Sequence, residues 1–380
     1  MQANTDITLA RDPTAVLQAT TKQYVDAADA LKAPLASPVF TGDARAVTPT
    51  AGDNDTSIAT TAFVQTALAS VPTSSAAHNL LHNAQFNIAQ RGVGPFNTAG
   101  VYTLDRWLVN FSLDTASVQQ TAVNDAQRAS IGDEAATNCF NTNVTGNAGA
   151  SAFTNCTQPM EDVRRLAGKT VTVSFYAWCG SGALKLGVSF DQLFGTGGSP
   201  STAVIGNGQS VTLSTTPTRY SLTFAVPSIS GKTVGTAANS SYTQMSFWFS
   251  SSTTQATRAG NIGVQTGGFG IWGVQCEIGS TASPLEKLDP QQDLAMCQRY
   301  YQTTSVIETG YQVAGQSISW SLPIPQMRIA PAITQTSNSD GNLGTPGAST
   351  FGPNLMYVNG VATVTGTCTI NRHYTMSADL

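Results

Sequence analysis

Apolar and polar positions alternate through the middle of the chain in runs of ten to thirteen residues, separated by stretches rich in Gly, Ser, Thr and Asn. YTLDRWLVNFSL (102–113), KTVTVSFYAWC (169–179), TRYSLTFAVP (218–227), YTQMSFWFSS (242–251) and GGFGIWGVQCEIG (267–279) carry the two-residue period of β-strands. No strand–helix alternation intervenes, so residues 78–302 are expected to fold as an antiparallel β-sandwich of the jelly-roll kind. Within KTVTVSFYAWC, Val171, Val173, Phe175 and Ala177 share one face, and Thr172, Ser174, Tyr176 and Trp178 the other. Met245, Phe247 and Phe249 alternate with Ser246, Trp248 and Ser250 in the same way. Trp272 runs in phase with Val274, Cys276 and Ile278 and is assigned, with Trp107, to the core. The section closes on DPQQDLAMCQRYYQ (289–302), read as a helix with Asp289 as N-cap and Pro290 at the first helical position.

Residues 303–380 hold further short strands: QSISWSLPIP (316–325), RIAPAITQT (328–336), LMYVNGVATVTG (355–366) and CTINRHYTM (368–376). Asn359-Gly360 between β-branched residues signals a hairpin turn. A section of this length makes a small C-terminal β-rich domain with a correspondingly small core.

The pattern changes in residues 1–77, a short helical and extended stem. Leu17, Thr21, Tyr24, Ala28 and Leu31 step by four and three, and Thr60, Val64, Ala67 and Val71 repeat those steps in a second copy, ATTAFVQTALA (59–69). A 3.5-residue period belongs to a coiled-coil seam rather than to the wider stripe that docks a helix on a globular core. Helices this short are marginal alone in water. The expectation is a homotrimer whose sister chains bury the seam; the other reading is a pair of surface helices on a leader.

Charge narrows the partners. Only 11% of the 380 residues are charged, the net charge is −4, and the 18 Lys and Arg are scattered, which argues against nucleic acid. No apolar run approaches the ~20 residues of a membrane-spanning helix. MQANTDITLA lacks the basic start and apolar stretch of a secretion signal, so assembly in a cytoplasm is expected. The polar surface is built from Ser, Thr, Asn, Gln and Gly, which suits neutral hydrogen-bonding ligands such as sugars. Sugar binding asks for flat aromatic faces beside amides and hydroxyls. Tyr176, Trp178 and Trp248, aromatics on otherwise polar strand faces, are the glycan-binding candidates; the alternative is that they pack under loops or against another subunit.

Catalytic candidates are few. His78 and His82 in HNLLH have the spacing of a helical zinc pair, but no Glu follows the first histidine, so no metal site is expected. The six cysteines show no zinc-type spacing, although Cys139 and Cys156 bracket a loop-like stretch that could oxidise outside a cell. Glu161 and Asp162 precede Arg164 and Arg165, the pattern of a solvated ion-pair cluster. G-x-S-x-G and P-loop motifs are missing, and neither enzyme activity nor a cofactor is expected.

DPTAVLQATTKQYVDAAD, KAPLASPVFTG and PTAGDNDTSIATTAFVQTAL resemble N-terminal and shaft segments of tailed-bacteriophage tail fibres. NLLHNAQFNIAQRG, YTLDRWLV and GVQCEIGSTASPLEKLDPQQDLAMCQRYYQ are similar to the carbohydrate-binding-module-like jelly-roll domain of phage fibres and related virion appendages. WSLPIPQMRIAPAIT resembles the β-rich cap that follows it. The resemblance implies a virion protein: a homotrimer joined through its N-terminus to other virion proteins, meeting host surface polysaccharide or lipopolysaccharide with its distal β domains. It implies no binding residues; Arg106 and Arg299 are read as scaffold, each paired to a carboxylate. A structural appendage without receptor binding is the alternative, and a polysaccharide-degrading enzyme a more distant one.

Overall fold

The computed structural model describes residues 22–29, 42, 45–70, 79–344, 347–350 and 352–380. Contacts divide the chain into two units, Met1–Thr73 and Ser74–Leu380. In the first unit, α1 spans Lys22–Asp29 and α2 Thr61–Ser70. The Thr60 hydroxyl accepts the Phe63 N–H at 3.2 Å and caps α2. Of the seam positions, Leu17, Thr21, Leu31 and Val71 lie outside the described residues, and Tyr24 and Ala28 fall within α1. Val64 and Ala67 are exposed on α2.

The second unit runs β1 (Val101–Tyr102), β2 (Leu108–Ser112), β3 (Thr115–Ala122), α3 (Asp125–Ile131), β4 (Asn138–Thr145), β5 (Phe153–Glu161), β6 (Thr170–Cys179) and β7 (Lys185–Leu193). There follow β8 (Val204–Ile205), β9 (Gln209–Thr212), β10 (Thr218–Ala225), β11 (Tyr242–Ser251), β12 (Gly267–Ile278) and α4 (Pro290–Gln298). The last part holds β13 (Tyr301–Gln312), β14 (Ser317–Pro323), β15 (Ala332–Asn338), β16 (Gly347–Thr350), β17 (Leu355–Val361) and β18 (Gly366–Ser377). The protein is mainly β, and its paired strands are antiparallel.

One sheet has the order β1-β2-β5-β11-β7-β8, with β9 also on β7, and its companion the order β10-β6-β12-β4-β3. Their inner faces make a sandwich. Val171, Val173, Phe175 and Ala177 of β6 meet Met245, Phe247 and Phe249 of β11 in its core, as the alternation predicts. Phe175 and Phe247 touch edge to face across the two sheets at 5.0 Å, and each buried aromatic contributes about 1.5–3 kcal/mol. A smaller pair of sheets, β13-β18-β15 and β14-β17-β16, encloses a separate core around Ile318, Met356, Ile370 and Tyr374.

Several local expectations change. YTLDRWLVNFSL is two strands joined by a turn, in which the Thr103 N–H donates to the Trp107 carbonyl at 2.8 Å and Arg106 adopts φ 74°. That left-handed backbone costs a non-glycine residue about 1–2 kcal/mol. In β12 the register slips between Trp272 and Gln275, where Gly273 sits at φ 63°. The bulge moves Trp272 out of phase with Val274 and Cys276, which stay in the core. Trp272 is buried instead in an outer cluster with Trp178 and Ile131. Asn359-Gly360 makes no hairpin; it lies inside β17, opposite Ser319 and Ile318 of β14. Gly360 serves close approach there, since a Cβ would stand 3.1 Å from an Arg372 nitrogen. Helix α4 has the expected Asp289 cap, accepting the Gln291 N–H at 2.9 Å. It ends at Gln298 because Tyr301 already pairs with Ser377 in the β13–β18 ladder.

Strands β4, β5 and β7 were not read from the pattern, because their buried positions include polar residues. In β5, Thr154 donates to Asp114 at 2.9 Å, and the Gln158 amide clamps the His82 backbone at 2.7 and 3.0 Å. Such partners, distant in sequence, let polar side chains occupy an interior. Helix α3 was missed too, although Asn124 and Gln127 form its capping box.

Candidate functional site

The three glycan candidates do not form one surface. Tyr176 and Trp178 face outward from β6, while Trp248 faces outward from β11 in the opposite sheet. Trp178 is 6% exposed, packed with Val123, Ile131 and Ala136 around α3. Trp248 is fully buried beneath Ala259 and Ile262, with Phe153 beside it. Tyr176 is half-buried, its ring 5.7 Å from Trp272. Neither tryptophan offers an open ring to a sugar; each anchors a segment laid over its sheet, which is the loop-packing alternative of the sequence reading.

What Trp248 anchors shapes a different site. Its Nε1 donates to Ser189 Oγ at 2.9 Å, and the Arg258 guanidinium lies 5.1 Å from its ring centroid. Arg258 Nε donates to the buried Asp191 carboxylate at 3.1 Å, and the other Asp191 oxygen accepts the Gly206 N–H at 3.1 Å. A Cβ on Gly187 would strike the Ala259 carbonyl, and one on Gly208 the Arg258 carbonyl, so both glycines are needed for the covering segment to seat. Trp248, Arg258 and Asp191 therefore hold residues 205–209 in place.

Those residues form one wall of a cleft of about 340 Å³ beside β7 and β10. Phe190, Phe224, Val226 and Pro227 give it an apolar side, with the two phenylalanines edge to face at 5.1 Å. Asn207 and Gln209 supply exposed amides, and Gln209 Nε2 donates to the Thr223 carbonyl at 2.7 Å. None of the residues lining the cleft is charged. An apolar wall beside uncharged amides can hold a neutral, hydroxyl-bearing ring. The sequence reading missed these residues because Asn207, in a short Gly-rich link, and Gln209, at the start of β9, have meaning only against β7 and β10.

The remaining chemistry-bearing residues separate. His78 lies outside the described residues, and among the described residues no group of three or more His, Cys, Asp or Glu could hold a metal ion. All six cysteines are free and buried; Cys139 lies in the cluster beside α3 and Cys156 in the main core. Burial pushes the Cys156 and Cys276 thiols well up, the latter to about 12. Asp162 and Arg164 pair at 3.3 Å on the surface as expected. Glu161 instead accepts from Arg299 at 2.9 and 2.8 Å and from the Tyr300 hydroxyl, so Arg299 has its expected carboxylate. Burial raises the Glu161 pKa, but these hydrogen bonds outweigh it and hold the carboxyl below its usual range. Arg106 has no carboxylate partner among the described residues, contrary to expectation.

Burial, then the charges of Arg106 and Arg165, depress the His82 pKa from 6.5 to about 3. The unfolded chain therefore takes up a proton at this residue below pH 6.5 that the folded chain refuses until about pH 3. Stability drains over that window at up to about 1.4 kcal/mol per pH unit. His82→Gln is expected to melt near the native temperature at neutral pH and to lose less stability on acidification. Parallel melting curves for native and variant protein across the window would refute the assignment.

No protein-family model and no curated protein matches the chain. Among solved structures, part of it is similar to the enzymatically active domain of tailspike protein 4 of bacteriophage CBA120, with 15% identity, 53% of this chain and 21% of that chain covered, and a TM-score of 0.31. It is similar to a family 11 carbohydrate-binding module of Clostridium thermocellum in complex with a β-1,3-1,4-mixed-linked tetrasaccharide, at 10% identity, 50% and 99% coverage, and a TM-score of 0.30. The xylan-binding CBM22-1 domain of Paenibacillus barcinonensis matches at 12% identity, 55% and 100% coverage, and a TM-score of 0.29. The chain thus spans about a fifth of the tailspike chain's length. Identities and scores this low transfer no site and no activity.

Proposed function

We propose that this protein is a non-catalytic, sugar-binding virion appendage, carried by a phage-like particle and bound to host surface polysaccharide or lipopolysaccharide. The uncharged cleft beside Asn207, Gln209, Phe190 and Phe224 carries the reading, because its mixture of amides and apolar wall fits a neutral saccharide ring. The short α2 exposes the seam residue Val64 (51%), an apolar position that sister chains of a homotrimer would cover. Three linked copies turn a weak site into firm attachment by raising effective concentration.

Binding is tested on a glycan array with the full chain, whose mass is first measured by light scattering. The expected result is a trimer that retains neutral glycans. The double substitution Asn207→Ala, Gln209→Ala is expected to weaken retention about tenfold, as loss of two hydrogen bonds of about 0.5–1.5 kcal/mol each requires, with only the small drop in melting that loss of the exposed Gln209–Thr223 hydrogen bond brings. The covered state of Trp178 and Trp248 favours a second reading, a connector that meets no receptor. A trimer that binds no glycan and no host cell would establish that reading in place of the first. Release of reducing ends from host polysaccharide would overturn the non-catalytic assignment.

A further inference from the structure

Arg106, in the larger sandwich, is only 1% exposed. Its Nη2 donates to the Pro159 carbonyl, and its guanidinium lies 3.3 Å from the Tyr300 ring centroid. Nε and Nη1 are buried and meet no acceptor. A buried guanidinium is ordinarily matched by a carboxylate. Here the neighbouring carboxylates are already engaged: Asp105 accepts from Gln90, at 2.6 and 2.7 Å, and Glu161 from Arg299 and Tyr300.

Arg106 borders a cavity of about 250 Å³. His82, whose Nδ1 is likewise buried without a partner, lines it with Tyr300. Arg165 and the Glu161–Arg299 pair complete the wall, and Arg165 makes no ion pair among the described residues. Three guanidinium groups thus face one carboxylate that is already taken. Fixed donors, surplus positive charge and an aromatic face together match a small planar anion.

We propose that this cavity binds a carboxylate, with the unpaired N–H groups of Arg106 as donors and Arg165 supplying charge from the exposed side. His82 is neutral at physiological pH, because burial and the two arginines hold its pKa near 3. It contributes a ring nitrogen and no charge. The carboxylate of an acidic sugar in a polysaccharide and that of a small free acid share this chemistry. The site is separate from the neutral cleft and stands or falls without it.

The full chain is titrated by calorimetry with glucuronate, acetate and glucose, with a thermal melt at each saturation. Glucuronate is expected to bind and raise the melting temperature, more weakly at high salt, while glucose leaves this site untouched. Glucuronate binding tighter than acetate would assign the acidic sugar; equal binding would assign the carboxylate alone, and either supports the site. Arg165→Ala, on the exposed side, is expected to fold as the native chain and weaken glucuronate about fivefold, the size of one partly exposed charge interaction. Arg106→Gln is expected to abolish binding, and its melt is measured alongside because the residue is buried. The cleft variant Asn207→Ala, Gln209→Ala is expected to keep glucuronate binding intact, which separates failure of one site from failure of the other. No response to either acid, competition by glucose for the glucuronate site, or native affinity in Arg165→Ala overturns the proposal.

Discussion

Trp248→Ala is expected to destabilise the β unit by about 3–5 kcal/mol, the cost of removing a large buried aromatic side chain. The ring is fully buried beneath Ala259 and Ile262, and the substitution also strands the Ser189 hydroxyl and removes the aromatic face beside the Arg258 guanidinium. Thermal unfolding reads this as a drop of about 10 °C, since each kcal/mol shifts a domain of this class by roughly 2–4 °C. An exposed sugar platform behaves differently. Its removal changes stability by less than about 0.5 kcal/mol and abolishes binding. A native melting curve with lost glycan retention would therefore return Trp248 to the role its polar strand face first suggested.

Asp191→Ala is expected to cost about 2–4 kcal/mol and to loosen residues 205–209. The carboxylate is wholly buried, whereas its partner Arg258 is 24% exposed, so water softens the 3–5 kcal/mol typical of a fully buried broken pair. The Gly206 N–H loses its acceptor at the same time. Hydrogen exchange at Gly206 should quicken, and neutral-glycan retention should fall with it. Asp191→Asn keeps the shape and one acceptor, and is expected to retain more of both. Because Trp248 and Asp191 act on the same arginine, the double alanine variant should cost less than the sum of the two. Strict additivity would show that Arg258 does not link them.

The strand period was enough to identify β6, β10, β11 and β12 and, in β6 and β11, to say which side chains face the core. Backbone geometry sets that alternation locally, and it needs no knowledge of neighbours. It failed where one residue broke the phase: Gly273 at φ 63° turned Trp272 to the other face. It also failed in β5, where Thr154 is buried by virtue of an acceptor forty residues away. Asn359-Gly360 looked like a turn because Gly is free to make one; in the fold it yields space to Arg372 and Leu343.

The candidate site was the least legible part. Outward-facing aromatics were found correctly as outward, but a strand's period says nothing about what later covers that face. Only the packed chain decides that the 253–262 segment closes over Trp248, that α3 closes over Trp178, and that a Gly-rich turn beside two phenylalanines stays open. The same holds for Arg106: its charge is plain in the sequence, while its want of a partner emerges only once Glu161 has been drawn to Arg299. Side-chain direction is a property of a few consecutive residues; exposure and pairing belong to segments brought together from across the chain.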